Sequence, residues 1–186
     1  MAIQPWPLLS GDTRRSFGIF NVRSDKVRSP RTGCVHDFWV IEFPPWVNVI
    51  PLTPEGEVVM IRQYRHGIRS ITLEIPGGVV EEGDSLQQAA IRELMEETGY
   101  RSNEWTFLGT THPNPAIQNN ECATFLANNV VLDGPPQPDD TEDIEVVRIP
   151  LVEVPRMLRT GAISHSIMVA AFCRFFLEYG LPGTAP

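Results

Sequence analysis

The chain has 186 residues, 42% hydrophobic and 20% charged, with 15 Lys and Arg against 23 Asp and Glu for a formal net charge of -8. That length suits one hydrophobic core with at most a small extra lobe. The acidic balance argues against neutralising nucleic-acid phosphates, no apolar run is long enough to span a bilayer, and Cys34, Cys122 and Cys173, scattered without a CxxC pair, argue against a disulfide framework or zinc site.

The opening MAIQPWPLLSGDTRRSF lacks a basic head followed by an apolar stretch, so no secretory signal is expected and the cytoplasm is the expected compartment. FGIFNVRSDKV and CVHDFWVIEF then alternate in polarity around the turn residues SPRTG, which predicts a small antiparallel β lobe over residues 1–45. Residues 46–186 form the expected main domain. There WVNVIPL and EVVMIRQY flank TPEG and read as a hairpin. ITLEIP is the next strand and leads into the turn Gly77-Gly78. WTFLGTTH and ECATFLANNV follow the helix described below, joined by the loop PNPAIQNN, and IEVVRIPL is the last strand. VEVPRMLRTG opens a helical region, and the amphipathic SHSIMVAAFCRFFLEYG closes it at Gly180 before Pro182.

Between these strands, Asp84 and Gln87 have the spacing of a capping box, which predicts Asp84 as N-cap and a helix starting near Ser85. Gly99 supplies the stop. At about 100° per residue, Ile91, Leu94, Met95 and Thr98 share one side and Glu93, Glu96 and Glu97 another. One face is expected to pack and one to be acidic. Like charges at this spacing repel, and a solvated surface is the ordinary explanation for such a cluster. The turn at Gly77-Gly78 offers another, because it would bring backbone carbonyls close to the helix. Carboxylates and a carbonyl are the hard oxygen donors that Mg²⁺ or Mn²⁺ prefers, with phosphates and waters completing an octahedron.

Gly78, five residues, Asp84, seven residues and then Arg92-Glu93-Leu94-Met95-Glu96-Glu97-Thr98-Gly99-Tyr100 resembles the Nudix box, the signature of metal-dependent hydrolases of nucleoside diphosphates linked to another group. The family usually has Glu where this chain has Asp84. The resemblance implies an α/β/α sandwich around a mixed sheet. It also implies Glu93 and Glu97 as principal metal ligands, Glu96 sharing in binding, the Gly77 carbonyl completing the set, and Arg92 orienting the glutamates through a salt bridge.

Outside the box, MIRQYRHG followed by LEIPGG resembles the strands that precede it in ADP-ribose and nucleotide-sugar pyrophosphatases, where Arg65 would be directed at the diphosphate; Arg62 is open between that role and a surface one. DDTEDIEV resembles the acidic loop that supplies a further ligand or the general base, with Glu142 the first choice and Asp140 the second. THPNPAIQNNE occupies the place of a substrate-contacting loop, so Asn119, Asn120 and Glu121 are candidate contacts, each open to being an ordinary turn residue. Trp46 could stack on a base or pack at a subunit interface. Members with the N-terminal lobe are typically homodimers. The expectation is therefore a Mg²⁺-dependent, homodimeric pyrophosphatase of ADP-ribose or nucleoside diphosphate sugars. Hydrolysis of nucleoside triphosphates or dinucleoside polyphosphates, and a noncatalytic nucleotide-sugar sensor, stand as alternatives.

Overall fold

The computed structural model describes residues 2–139 and 142–182. They fall into two compact units, Met1–Pro44 with His112–Asn120, and Pro45–Thr111 with Glu121–Pro186.

The first unit is an antiparallel meander of β1 (Leu8–Ser16), β2 (Asn21–Arg28) and β3 (Val35–Glu42). Strand β1 was not evident in the sequence because LLSGDTRRS is polar and shows no alternation. It forms by pairing along β2 with two register shifts. Residues 112–120 group with this unit through β3, where Ile41 N–H donates to Ile117 O and Ile41 O accepts from Asn119 N–H.

The second unit contains β4 (Trp46–Pro51), β5 (Glu57–Arg65), β6 (Ser70–Glu74), α1 (Leu86–Thr98), β7 (Tyr100–Arg101), β8 (Glu104–Thr111), β9 (Cys122–Asn128), β10 (Val131–Leu132) and β11 (Ile144–Pro150). A 3-10 turn at Leu151–Glu153 leads into α2 (Val154–Thr160), and α3 (Ser166–Tyr179) ends the unit. One sheet has the order β4-β9-β8, with β4 parallel and β8 antiparallel to β9; a second is antiparallel in the order β11-β5-β6, and β10 pairs with β7.

Strands β4, β5 and β9 are buried on both faces and sort by alternation. Val47 and Val49 of β4, Val59 of β5, and Ala123, Phe125 and Ala127 of β9 pack with Ala89, Ala90 and Leu94 of α1. Their neighbours Ile50, Val58, Met60, Cys122 and Leu126 pack instead with Met168, Ala171, Phe172 and Phe175 of α3. A period of two thus places helices on opposite sides of the strands. This is the mixed-sheet α/β/α architecture that the sequence indicated.

Three local expectations are corrected. The segments around TPEG do not form a hairpin, since β4 and β5 belong to different sheets and share only an isolated bridge between Leu52 and Val58. The Pro/Gly turn reverses the chain but does not dictate pairing: β4 is taken by β9 on one edge and by residues 76–78 on the other, where Val49 N–H donates to Pro76 O and Val47 N–H to Gly78 O. The N-cap of α1 is Ser85, not Asp84. Ser85 Oγ accepts from Gln88 N–H and Gln88 Oε1 from Ser85 N–H, while the Asp84 carboxylate accepts from Arg92. Finally, the packed face of α1 is not purely apolar, for it buries Ala89, Ala90, Leu94 and Thr98 together with Glu93 and Glu97, whereas Ile91 is 42% exposed. Gly99 ends the helix in the left-handed region at φ 73°, its N–H donating to Met95 O.

If Ser85 rather than Asp84 caps the helix, Ser85→Ala will lower the unfolding free energy in urea by about 1 kcal/mol. Gln87→Ala, removing the partner that the rejected box would use, will leave it within about 0.5 kcal/mol.

Candidate active site

Strand β6 runs into Pro76-Gly77-Gly78, which lies between β4 and α1. A Cβ on Gly77 would fall 2.3 Å from Val47 O, and one on Gly78 would fall 2.4 Å from Glu93 Oε1. Only glycine permits this approach. It lets Gly77 N–H donate to Glu97 Oε2 at 2.8 Å.

The glutamates meet the backbone from one helix face. Glu97 is 1% exposed and Glu93 8%. Burial holds the Glu97 carboxyl well above the ordinary carboxylate value, against the Gly77 N–H, with repulsion from Glu93 and Glu142 adding to the rise. Burial likewise pushes Glu93 up to about 7, opposed by Arg92 and reinforced by Glu96 and Glu142. Arg92 ties the group together: Nη1 donates to Glu93 Oε1 and Glu96 Oε2, both at 2.9 Å, Nη2 to Val79 O at 3.0 Å, and Nε to Asp84 Oδ2 at 3.4 Å.

A cavity of about 460 Å³ opens over this cluster, walled by β5, the glycine turn, α1 and the loop before β11. It brings together Arg65, Gly77, Arg92, Glu93, Glu96, Glu97 and Glu142. Glu142 Oε2 accepts from Asp139 N–H at 3.4 Å and Glu142 N–H donates to Asp139 O at 3.1 Å. The loop is also held to α1, through Gln137 N–H to Glu96 O and Asp133 N–H to Gly99 O. Asp140 lies outside the described residues. Arg62 is not in the cavity wall and pairs with Glu145 at 2.9 Å on the neighbouring strand.

Other candidates lie elsewhere. Trp46 packs against the α3 side of the core, and neither it nor Glu121, whose carbonyl accepts from Trp46 N–H, is in the cavity wall. Asn119 and Asn120 belong to the first unit, where Asn119 Oδ1 accepts from Phe43 N–H and the buried Asn120 amide has no hydrogen-bond partner among the described residues.

Sequence reasoning did not single out Gln63, which shares the cavity wall with Arg65, although two-residue spacing on one strand was a usable signal. It also passed over Glu74. This residue is 0% exposed and receives both Arg65 Nε and Nη2, at 2.8 and 2.7 Å. A single Glu inside the apolar ITLEIP was the available clue, since a buried carboxylate needs partners. Burial opposes its charge, but Arg65, His165 and Thr72 outweigh that and hold the carboxyl well below its ordinary value of 4.5.

Among the described residues no three acidic, His or Cys side chains converge as a metal cage, Arg92 holding Glu93 and Glu96 instead. The donor chemistry nonetheless fits a hard divalent cation: buried carboxylates whose raised proton affinity comes from desolvation and mutual repulsion, beside a close-set backbone turn.

The mixed-sheet α/β/α body thus presents an arginine-clasped glutamate helix to a Gly-Gly turn. Residues 42–172 match the NUDIX domain, and the chain belongs to the Nudix family of hydrolases. Similar proteins include an ADP-ribose pyrophosphatase of Mycobacterium tuberculosis (strain ATCC 25618 / H37Rv), 29% identical over 172 residues, 91% of this chain and 83% of that one. An ADP-ribose pyrophosphatase of Bacillus subtilis (strain 168) is 30% identical over 125 residues, 67% of this chain and 68% of the relative. A crystal structure of ADP compounds hydrolase shares the fold with a TM-score of 0.82 at 23% identity, covering 97% of this chain and 98% of that chain.

Two outcomes test this geometry. In Gly78→Ala the new methyl displaces the Glu93 carboxylate, so if the buried glutamates hold a divalent cation, calorimetry will show Mg²⁺ affinity reduced by about tenfold or more in a folded protein. Because the folded Glu74 value is depressed, its stabilisation is fully present above about pH 4.5 and is lost as pH falls toward the folded value. Urea melts on acidification will therefore show the gap between wild type and Glu74→Gln closing, and a constant gap would contradict the assignment.

Proposed function

We propose that this Nudix hydrolase cleaves ADP-ribose or related nucleoside diphosphate sugars to a nucleoside monophosphate and a sugar phosphate, using Mg²⁺ or Mn²⁺. The observation that carries the reading is the makeup of one cavity wall, where Glu81, Glu93, Glu96, Glu97, Asp139 and Glu142 face Arg65 and Arg92. Substrate class is supported by the ADP-ribose pyrophosphatases among the relatives.

Glu93, Glu96, Glu97 and the Gly77 carbonyl would hold the cation. When bound, it supplies charge neutralisation for the diphosphate and a lowered pKa for attacking water. Arg92 keeps Glu93 and Glu96 oriented. Arg65 has its Nε–Nη2 edge on Glu74, which leaves the Nη1 end of the guanidinium for a phosphate oxygen. Glu142 accepts the proton of the attacking water as the new O–P bond forms, and the bridging P–O bond breaks with its electron pair leaving on the departing phosphate. No covalent intermediate with the protein is required.

Exposed Trp6, Leu8, Phe38 and Trp39 on the N-terminal unit support a homodimer formed through it. No helix among the described residues is long and apolar enough to cross a membrane, and three free cysteines suit a reducing cytoplasm.

The test is product identification by chromatography after incubation with Mg²⁺ and ADP-ribose, ADP-glucose, GDP-mannose, diadenosine polyphosphates or nucleoside triphosphates. Nucleoside monophosphate and sugar phosphate are expected from the first group. Glu97→Gln should retain its fold by circular dichroism and lose about 100-fold or more in kcat/KM; full activity in that folded variant would sink the metal-site assignment.

A further inference from the structure

Strand β6 and the start of α3 are joined by a contact that the mechanism above does not use. The Glu74 carboxylate receives four donors: Arg65 Nε and Thr72 Oγ1 on Oε1, at 2.8 and 2.5 Å, and Arg65 Nη2 and His165 Nδ1 on Oε2, at 2.7 and 3.2 Å. Four donors fill the acceptor capacity of a carboxylate. Since the ionised carboxylate can only accept, the proton of this contact sits on His165 Nδ1. His165 immediately precedes α3, and one residue beyond Glu74 the Ile75 N–H donates to Met168 Sδ at 3.3 Å. The first turn of α3 therefore grips two successive residues at the end of β6, just before the glycine turn.

The need for such a grip follows from the charges around Arg65. Its side chain is 42% exposed at a strand end, and its guanidinium feels the fields of Glu97 and Glu142 as well as of Glu74. A long, flexible cation at the wall of an acidic cavity has competing partners. If it swung onto Glu97 or Glu142 it would neutralise itself and also occupy the carboxylates assigned to the cation and to the attacking water. Glu74 is not part of the cavity wall, and it holds Arg65 by one edge while leaving the other free.

We propose that His165, acting through Glu74, is a positioning residue for Arg65, and that the pair holds the guanidinium at the cavity wall and off the carboxylates beneath it. This rests on the reading of Arg65 as the phosphate contact and of the glutamates as the cation site. His165 does not line the cavity. Its effect is to fix one tautomer of its own ring, fill the last acceptor position of Glu74 and keep that carboxylate aligned with the guanidinium.

The experiment is a set of variants, His165→Ala, His165→Asn, Glu74→Gln, Arg65→Ala and the double variant His165→Ala/Arg65→Ala, each checked for folding by circular dichroism. Steady-state kinetics with ADP-ribose at saturating Mg²⁺ and calorimetry of Mg²⁺ binding without nucleotide are the readouts. His165→Ala should lower kcat/KM about tenfold, chiefly through KM, because a misplaced contact of this kind has that scale of effect. Asn, which can place an amide N–H where Nδ1–H stood, should restore most of it. Mg²⁺ affinity should fall in His165→Ala, as the released guanidinium competes for Glu97, and recover in the double variant. A merely structural role would not be reversed by removing Arg65, so failure to recover overturns the proposal, as does unaltered kinetics in folded His165→Ala. Should Glu74→Gln not fold, the His165 variants carry the test alone. If Arg65→Ala leaves kcat/KM unchanged, the phosphate contact fails as a reading, whereas an impaired Arg65→Ala beside an unimpaired His165→Ala overturns only the positioning role.

Discussion

Glu97 is buried against the N–H of Gly77, and much of the second unit is arranged around keeping it there. A carboxylate taken out of water costs several kcal/mol unless donors or cations replace the solvent, yet one backbone N–H is its hydrogen-bonded donor here and Glu93 and Glu142 repel it. For that N–H to reach the helix, residues 76–78 must run closely between β4 and α1, where a side chain at Gly77 would strike Val47 and Asn48 of β4 and one at Gly78 would strike Glu93. For the turn to be stationary, its carbonyls must be held, and they accept from Val47 and Val49 along one edge of β4. Strand β4 is in turn fixed by its parallel partner β9 on the other edge. The site is thus built from backbone pairing as much as from side chains.

That construction explains which parts of the molecule were legible in the sequence. Local signals read well: β-branched runs gave the strands of the main body, Gly99 gave the end of α1, and the spacing from Gly78 to Gly99 located the turn and the helix that it faces. What depends on partner choice did not. TPEG looks like a hairpin because turn chemistry is local, whereas the competition between β5, β9 and residues 76–78 for the edges of β4 is not. The cap was misplaced by one residue because Asp84 and Ser85 both satisfy the capping spacing, and only the distant Arg92 decides between them. Helical periodicity put Glu93, Glu96 and Glu97 on one polar side, but it carries no information on whether that side faces water or the sheet. The pairing of Glu74 with His165 spans 91 positions and has no sequence signature on the histidine side.

The same packing logic accounts for how an acidic chain presents a site suited to an anion. Six carboxylates of the cavity wall face two guanidiniums, an excess of four negative charges were all of them ionised. Neither guanidinium is uncommitted: Arg92 is shared among Asp84, Glu93 and Glu96, and Arg65 is held edge-on by Glu74. Among the described residues, the wall therefore offers a diphosphate little net attraction of its own, and at short range in a poorly solvated cleft the repulsion is not screened by salt as it would be on the surface. A divalent cation, as proposed, would resolve both sides of the conflict at once, because the carboxylates that repel one another and the phosphate are all hard oxygen donors. Burial raises the proton affinities of Glu93 and Glu97, and repulsion from neighbouring carboxylates adds to the rise. Under the proposed function the division of labour would follow from burial: the deep carboxylates would neutralise charge through a cation, the half-exposed Arg65 would orient the phosphate, and the loop-borne Glu142 would be left to accept a proton.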